Sequence, residues 1–580
     1  MVKQHTQTPK TTERSHPFTH KYRQRMAQLE QDRRDWESHW KEIQDYIFPR
    51  RGRYLLNDSE NPNDNTKVNS NIINGTPTNA NDTLAAGMLG GMTSPTRPWF
   101  RLKLAGRREE SIESGPAKEW LKEVQTIMLE IFAKSNFYSA VHSMYEELGA
   151  FGTGAFLIEE DFNSVIRVTP YTIGEYYLGL DRLNRPSSIY RRFTMTAIQM
   201  KAEFGEDVLS EGVRTALTSE QGDQTFTIIH VIQPRDQDRV GRVKNEKLSY
   251  ESVYFEEGSG ERDAPDGVLR ESGYRGAPFV APRWDVRSGD TYGRSPGMEA
   301  LGDCKMLQKM EKNKLMALDK LVNPPMVGSS DLKSRGGGSV IAGGITYVDS
   351  TGGGGAGFGP AYQIRPDMQN IAFEIDRVER RIQRFFRNDL FLSIINETKA
   401  MTAREVVERT AEKLVMLGPV LERLQAEMLD VVIDRTFDIA MSLGAIPPAP
   451  PEIQGQEVRP EYVSILAQAQ KFQDLTPIEQ TLGFIGSVAG ADPNALDKFD
   501  TDQAIDEYAD ITGIAPTIIR TDEEVAEIRA VRAQQQAQQQ QMAMAAEAAD
   551  TAKVLSETGT DPNKPNALNA LLQGIGGGPA

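Results

Sequence analysis

Cysteine is nearly absent from this chain, since Cys304 is the one example among 580 residues. A single thiol excludes an intrachain disulfide and any metal site built from several cysteines. Long apolar runs are also missing, because no stretch approaches the ~18–20 residues of a membrane span. The first residues carry no apolar segment of the secretory type. We therefore expect a soluble chain with no membrane partner, in which Cys304 is a small buried residue.

Catalytic and metal-binding motifs are missing as well. The sequence contains no HExxH, no GxSxG and no GxxxxGK[ST] pattern. Two glycine runs, at 334–339 and 352–357, lie between strand-like pieces with no helix following them, so they predict turns more than a phosphate site. Gly152-Thr153-Gly154 precedes a strand and predicts a turn. We expect no metal, no cofactor and no catalytic residue. The six histidines show no zinc-site spacing: His5, His16, His20, His39, His142 and His230.

Two helices with a glycine-rich insert between them dominate the middle of the chain. The first is predicted over 295–322, with Ser295 as N-cap and Pro296 at the first helical position. The second is predicted over 370–390. Apolar residues recur along it at alternating steps of four and three, which predicts a single apolar seam that the first helix and further copies of the chain would cover. The seam consists of Ile371, Ile375, Val378, Ile382 and Phe385.

Arginines lie on the other side of the second helix, at positions 377, 380, 381, 384 and 387. They form either a solvated face or a surface that meets acidic groups on a neighbouring subunit or a nucleic acid. Residues 391–401 are predicted to form a loop. A long helix then begins with a capping box at Thr402 and ends by Gly444. Gly418-Pro419 inside it predicts a kink, because proline removes a backbone hydrogen bond.

The rest of the chain mixes helices and strands. Helices are predicted over 19–47, 78–92, 116–134, 137–150 and 196–204. Strands near 165–169, 175–180 and 189–194 are expected to form one small antiparallel sheet, and further strands follow near 225–232 and 248–255. From Val458 onward we expect helices and turns. The glutamine-rich segment after 532 fits either an ordered helix or a disordered tail.

Several blocks of the sequence resemble one known family, the portal proteins of phages. These blocks are LAAGM leading to TSPTRPWF, then YRRFTMTAIQMKAEFG, YGRSPGMEALGD and NALDKFDTDQAIDEYADITG. They keep the order of the head-to-tail connector of short-tailed (podovirus) bacteriophages. The resemblance covers about residues 20–535. It implies an α+β portal fold, assembled as a ring.

The resemblance implies a division of the chain into the parts of a portal. By residue number these are a disordered N-terminus (1–19), a mixed α/β wing (20–294), stem helix 1 (295–323), a small glycine-rich β clip (324–369), stem helix 2 (370–390), a tunnel loop (391–401), a long kinked helix (402–444), an α-helical crown (445–535) and a Gln/Ala-rich C-terminal helix, barrel or disordered tail (536–580).

The function implied by the resemblance is structural and not enzymatic. A ring, expected to be a dodecamer, would form the channel at one capsid vertex through which genomic DNA is packaged and ejected. The net charge of −16 suits a conduit through which double-stranded DNA slides without sticking, but does not prove one. The implied partners are further copies of the chain, double-stranded DNA, the terminase large subunit, major capsid and scaffolding proteins, tail adaptor or nozzle proteins and internal core proteins. The implied location is the virion, with the host cytoplasm during assembly.

Site residues follow from the same resemblance. The tunnel loop would place six residues in the channel: Ile394, Ile395, Asn396, Glu397, Thr398 and Lys399. The seam would join subunits, and Arg377, Arg381 and Arg384 would contact DNA or a neighbouring subunit. Two alternatives stay open. One is another head-tail adaptor, although adaptors are usually much smaller. The other is a DNA-processing enzyme that binds phosphates with the glycine runs.

Overall fold

The computed structural model describes fifteen stretches of the chain. These are residues 17–49, 71–104, 116–219, 221–235, 248–257, 268–324, 326–327, 359–360, 367–395, 417–451, 453–454, 458–463, 475–489, 500–512 and 522–557. Both glycine runs, residues 396–416 and residues 558–580 lie outside them. The expectations for those segments, including the capping box at Thr402, lie outside the described residues.

The chain is α+β and divides into two compact units, residues 1–476 and 477–580. In chain order the helices are α1 (Pro17–Tyr46), α2 (Thr76–Met92), α3 (Pro116–Lys134), α4 (Phe137–Phe151), α5 (Ala197–Phe204), α6 (Glu211–Thr218), α7 (Pro296–Val322), α8 (Met368–Phe385), α9 (Asn388–Ile395), α10 (Asp430–Ser442), α11 (Leu475–Ala489), α12 (Thr501–Thr512) and α13 (Asp522–Glu557). None of the helices in the described stretches is long and apolar enough to cross a membrane.

The strands in the described stretches of the first unit form four sheets. They are β1 (Phe100–Leu104), β2 (Ala155–Asp161), β3 (Val165–Tyr171), β4 (Tyr176–Leu180), β5 (Pro186–Thr196), β6 (Thr225–Pro234), β7 (Tyr250–Glu256), β8 (Arg270–Tyr274), β9 (Phe279–Val280), β10 (Met326–Val327), β11 (Gly359–Pro360) and β12 (Val458–Tyr462). The largest sheet has five antiparallel strands in the order β4-β5-β6-β7-β8, and a three-stranded sheet has the order β3-β2-β9.

Local sequence signals set most helix ends correctly. Ser295 caps α7, and its Oγ accepts a hydrogen bond of 2.9 Å from the Met298 N–H. Thr196 and Gln199 form a capping box at the start of α5. Along α1, the predicted apolar stripe is buried at Tyr22, Met26, Leu29, Trp40 and Ile43. These signals work because a cap bonds only backbone groups within its own turn.

The prediction that the first three strands pair in one sheet was wrong. The strands near 165–169, 175–180 and 189–194 exist, but they do not form one sheet. β3 pairs with β2 in the three-stranded sheet, whereas β4 and β5 pair in the five-stranded sheet. Strand pairing depends on residues far away in sequence, so alternation of polar and apolar residues within each strand does not reveal it.

Two predicted boundaries also require correction. Residues 17–19, which we had expected to be disordered, already belong to α1. Residues 458–462 form the strand β12, paired antiparallel with β1 from Phe100↔Tyr462 to Leu104↔Val458, instead of a helix or turn. The Trp120 Nε1–H also donates a 3.0 Å hydrogen bond to the Pro447 carbonyl. This part of the predicted crown therefore packs against α3 and β1, where it covers the edge of β1.

The second unit contains α12 and α13 in full. Arg529 of α13 and Asp502 of α12 form a two-pronged ion pair, with Nη2 at 2.8 Å from Oδ1. α13 runs for 36 residues, so the glutamine-rich segment up to Glu557 is helical. Its described side chains are almost all exposed.

Candidate functional site

The helices α7 and α8, here called the central helix pair, pack against each other through apolar side chains. Ile375, Val378 and Ile382 of α8 are 5%, 3% and 0% exposed. They belong to the same buried cluster as Leu301, Cys304 and Leu307 of α7. Burial of the Cys304 side chain raises the pKa of its thiol to about 12. The seam is therefore the packing surface between the two helices of one chain.

The assignment of this seam to contacts between subunits was wrong for its three central residues, because the chain's own residues already cover them. Only the end residues Ile371 and Phe385 are partly exposed. Apolar side chains that do face outwards lie elsewhere on the pair. They are Met306, Leu315, Met316, Leu321 and Val322 of α7 and Phe373 of α8.

A polar junction ties the central helix pair to the loop before α2. Gln308 of α7 is buried, and its Oε1 accepts hydrogen bonds from the Ile73 and Asn74 N–H groups at 2.7 and 2.9 Å. Its Nε2 donates to the Asn74 carbonyl at 2.8 Å. The Asn74 side chain then donates to Glu379 of α8 at 2.7 Å. Gln308 thus holds the loop to α7 and the Asn74 side chain holds it to α8, so the loop is fixed to both helices.

Three arginines of the predicted stripe, Arg377, Arg380 and Arg381, are exposed and form ion pairs within the chain. Arg377 lies 3.6 Å from Glu374, one helical turn away. Arg381 reaches across to Asp303 of α7, with Nη2 at 2.9 Å from Oδ1. Arg384 is exposed near the end of α8. Exposed pairs of this kind contribute ~0–1 kcal/mol each.

The second central helix ends earlier than predicted, and the loop predicted at 391–401 begins as a helix. α8 ends at Phe385, Arg387 adopts a left-handed backbone with φ of 55°, and α9 then runs from Asn388 to Ile395. The turn lets Phe386, Leu390 and Phe391 all reach the core, where each is 0% exposed. Ile394 and Ile395 are therefore helical. Asn396, Glu397, Thr398 and Lys399 lie outside the described residues.

A close approach between α2 and α9 fixes the position of α9. A Cβ atom added to Gly87 would overlap the ring of Phe391, whereas a Cβ added to Gly90 would meet nothing within 4 Å. The glycine and alanine content of α2 thus has a specific partner. The sequence predicted close backbone packing for this helix, and the structure identifies Phe391 as the residue that needs it.

The long helix is irregular at a place that the sequence did not indicate. Residues 417–424, which include Gly418 and Pro419, are helical, and a π-helical turn follows at Gln425–Leu429. Glu427 in this turn accepts hydrogen bonds from Arg283, at 2.6 Å from Nη2 and 3.3 Å from Nε. The Arg283 and Glu427 side chains are 3% and 11% exposed. A kink at Gly418-Pro419 stays a prediction.

A buried histidine lies within the five-stranded sheet. His230 lies beneath Tyr254 with ring centroids 3.7 Å apart, and its Nε2 is 2.9 Å from the Ser252 hydroxyl. Burial lowers the pKa of His230 well below its usual value, so the ring is neutral at pH 7. Among the residues that the structure describes, no three His, Cys, Asp or Glu side chains are grouped so that they could hold a metal ion.

Comparisons with known proteins give a consistent result. The model of the family described as "Bacteriophage head to tail connecting protein" matches residues 19–519. The "Probable portal protein" of Bordetella phage BPP-1 is 43% identical over 506 residues, which cover 87% of this chain and 89% of that protein. The "Portal protein" of Salmonella phage epsilon15 is 41% identical with the same coverage.

A solved chain from the virion of a native gene transfer agent particle is also matched. It is 10% identical, with a TM-score of 0.32 over 71% of this chain and 87% of that chain.

Proposed function

Because the chain belongs to the bacteriophage head to tail connecting protein family, a family of structural virion proteins and not of enzymes, we propose that its copies close into a ring at one vertex of a phage head. The ring, twelve copies in our proposal, surrounds a channel through which double-stranded DNA enters and leaves. The observation that carries this proposal is the match to two portal proteins over 87% of the chain.

We assign the parts of a portal to this fold as follows. The body from α1 to β9, together with β12, forms the wing, the central helix pair forms the stem, and β10 with β11 forms the base of the clip. The antiparallel contact of Met326–Val327 with Gly359–Pro360 supports the clip assignment, because it closes the insert between the two helices into a hairpin-like unit. The second unit corresponds to the crown and the C-terminal helix.

The net negative charge of the chain is compatible with a channel that conducts DNA. The sequence has 82 acidic and 66 basic residues, so the subunit as a whole does not attract a polyanion. Tight DNA binding needs clustered Lys and Arg, whereas a channel requires duplex to slide. Three exposed arginines of α8, Arg377, Arg380 and Arg381, already pair with carboxylates of the same chain. In this proposal they hold neighbouring stems or meet passing phosphates only transiently.

The expected partners follow from the same assignment. The terminase large subunit docks during packaging, and tail adaptor or nozzle proteins replace it. Major capsid, scaffolding and internal core proteins surround the ring in the head. We assign residues 394–399 the role of contacting DNA in the channel. The alternative of a small head-tail adaptor is disfavoured, since both portal relatives match over 89% of their own length.

Electron microscopy of the purified full-length chain tests the proposal. Negative-stain images should show annular particles with a central hole wide enough for a DNA duplex, and mass photometry should give a discrete multiple of 64.5 kDa. A chain that remains monomeric at high concentration in every solution condition would exclude the ring. Open helical filaments would exclude closure by rotation.

A further inference from the structure

Phe162 stands at the tip of the β2–β3 hairpin and is 100% exposed. Two acidic residues, Glu160 and Asp161, precede it directly, and Glu160 lies 3.9 Å from Arg435 of the same chain. The Ser164 hydroxyl donates to Asp161 Oδ2 at 2.6 Å and the Ser164 N–H donates at 3.1 Å. These bonds lower the pKa of Asp161, chiefly through the hydroxyl, so the carboxylate stays charged at neutral pH. The tip is thus a rigid aromatic knob with an acidic rim.

A cavity with complementary chemistry lies on the same unit. Its volume is about 300 Å³, and exposed Leu183 and partly exposed Val286 contribute apolar walls. For comparison, an apolar cavity of ~150 Å³ holds a benzene ring. Four arginines and one glutamate line the cavity: Arg185, Arg283, Arg287, Arg423 and Glu427. Arg283 is paired with Glu427 and Arg423 lies 3.7 Å from Asp285, so Arg185 and Arg287 give the rim of the cavity its positive charge.

The knob and the cavity lie at opposite ends of one strand. Thr153, just before β2, forms a bridge with Arg283, and the Arg283 Nη2 donates to the Asn184 carbonyl at 2.7 Å. Phe162 lies nine positions further along the chain, just beyond the other end of β2. At ~3.3 Å per residue the two features are roughly 30 Å apart. A subunit therefore cannot place Phe162 in its own cavity, whereas a neighbour can.

We propose that Phe162 and its acidic rim dock into this arginine-bordered cavity on a second copy of the chain. The contact is heterologous, since a knob on one side meets a pocket on the other, and this is the arrangement that generates a ring when the rotation closes. It buries an aromatic side chain that otherwise faces water and sets the charged Asp161 opposite Arg185 and Arg287. The proposal rests on the proposed ring. It adds a contact between the bodies of neighbouring subunits to the contact between their stems.

Crosslinking between introduced cysteines tests the contact. Phe162→Cys and Leu183→Cys would be combined in the full-length chain. Both native side chains are exposed, so neither change removes a buried contact. Native Cys304 is buried, and burial raises the pKa of its thiol to about 12, so it does not compete for a thiol reagent. Phe162→Cys paired with Ile198→Cys, another exposed apolar position, is the matched control.

The expected result is a ladder of covalent multimers on a denaturing gel after mild oxidation or a short bis-thiol reagent, with no ladder from the control pair. Phe162→Ala should in addition raise the concentration at which annular particles dissociate by about tenfold, while leaving the circular dichroism spectrum unchanged. Annular particles that yield no ladder would overturn the docking contact and leave the ring standing. Absence of annular particles from the unmodified chain would overturn both.

Discussion

Arg283 and Glu427 form a nearly buried ion pair between residues 144 positions apart in sequence. The pair joins the segment after β9 to the π-helical turn of the long helix. The π turn inserts an extra residue into the helical repeat, and Glu427 lies within this insertion. Arg283 also donates from Nη1 to the Asp290 carbonyl at 3.3 Å. One guanidinium therefore holds the long helix, the loop after β9 and the β4–β5 turn together.

Removal of the Glu427 carboxylate should show how much the ion pair contributes to the stability of the fold. Glu427→Ala leaves the Arg283 charge buried without its partner, and we expect a loss of about 3–5 kcal/mol in the free energy of unfolding. Urea denaturation at fixed protein concentration measures it. Glu422→Ala, at an exposed position of the same helix, is the control and should change stability by less than ~0.5 kcal/mol. An equal, small effect of both variants would contradict a structural role for the pair.

The seam of α8 provides a second test, because the structure places it inside one chain. Ile382 is 0% exposed and Phe373 on the same helix is 64% exposed. Ile382→Asp buries an unpaired charge and should destabilise the fold by several kcal/mol, reducing soluble protein as well as assembly. Phe373→Asp should leave the fold intact. If Ile382→Asp kept the stability of the native chain and lost only ring formation in electron micrographs, the seam would belong to the subunit interface.

Gly87 and Gly90 of α2 should respond to alanine with opposite signs. Gly87→Ala drives a methyl group into Phe391 and should cost about 1–3 kcal/mol, as overpacking does. Gly90→Ala meets open space and should stabilise the helix by about 0.5–1 kcal/mol. Thermal melting of both variants, followed by circular dichroism, makes the comparison. A stabilising Gly87→Ala would mean that α9 does not pack against α2 at this point.

His230 should make the fold sensitive to acid. Its pKa is lowered well below 6.5 in the folded state by burial, so the unfolded chain binds more protons as the pH falls below this value. The contribution to stability is complete above pH ~6.5 and is lost progressively at lower pH, by up to ~1.4 kcal/mol per pH unit. Denaturation curves between pH 8 and pH 5 measure the slope. In His230→Phe this part of the slope should disappear, and an unchanged slope would exclude His230 as its source.

A deletion within residues 394–399 tests whether ring assembly and genome packaging depend on different parts of the chain. Since Phe391 anchors α9 in the core and precedes the deleted stretch, the ring should still form. We expect packaging or retention of the genome to fail, because the proposed channel contact is gone. An in vitro packaging assay measures this, with annular particles in electron micrographs as the control for assembly. Full packaging by an intact ring would remove the channel role of these residues.

Local sequence determined much of this protein. The caps at Ser295 and Thr196, the stripe of α1 and the run of helix α3 followed by α4 all depend on contacts within one or two turns. Such contacts are visible in the sequence because spacing alone places the residues together. Sequence blocks also identified the family, since their order is preserved along most of the chain.

Tertiary structure decided the rest. The pairing of β1 with β12, the early end of α8, and the meeting of Arg283 with Glu427 join residues that no spacing rule relates. The burial of Ile382 within one chain was decided in the same way: an amphipathic pattern shows that a face needs cover but not which neighbour provides it. That choice follows from the packing of the whole chain, where each apolar face is covered by the surface that fits it.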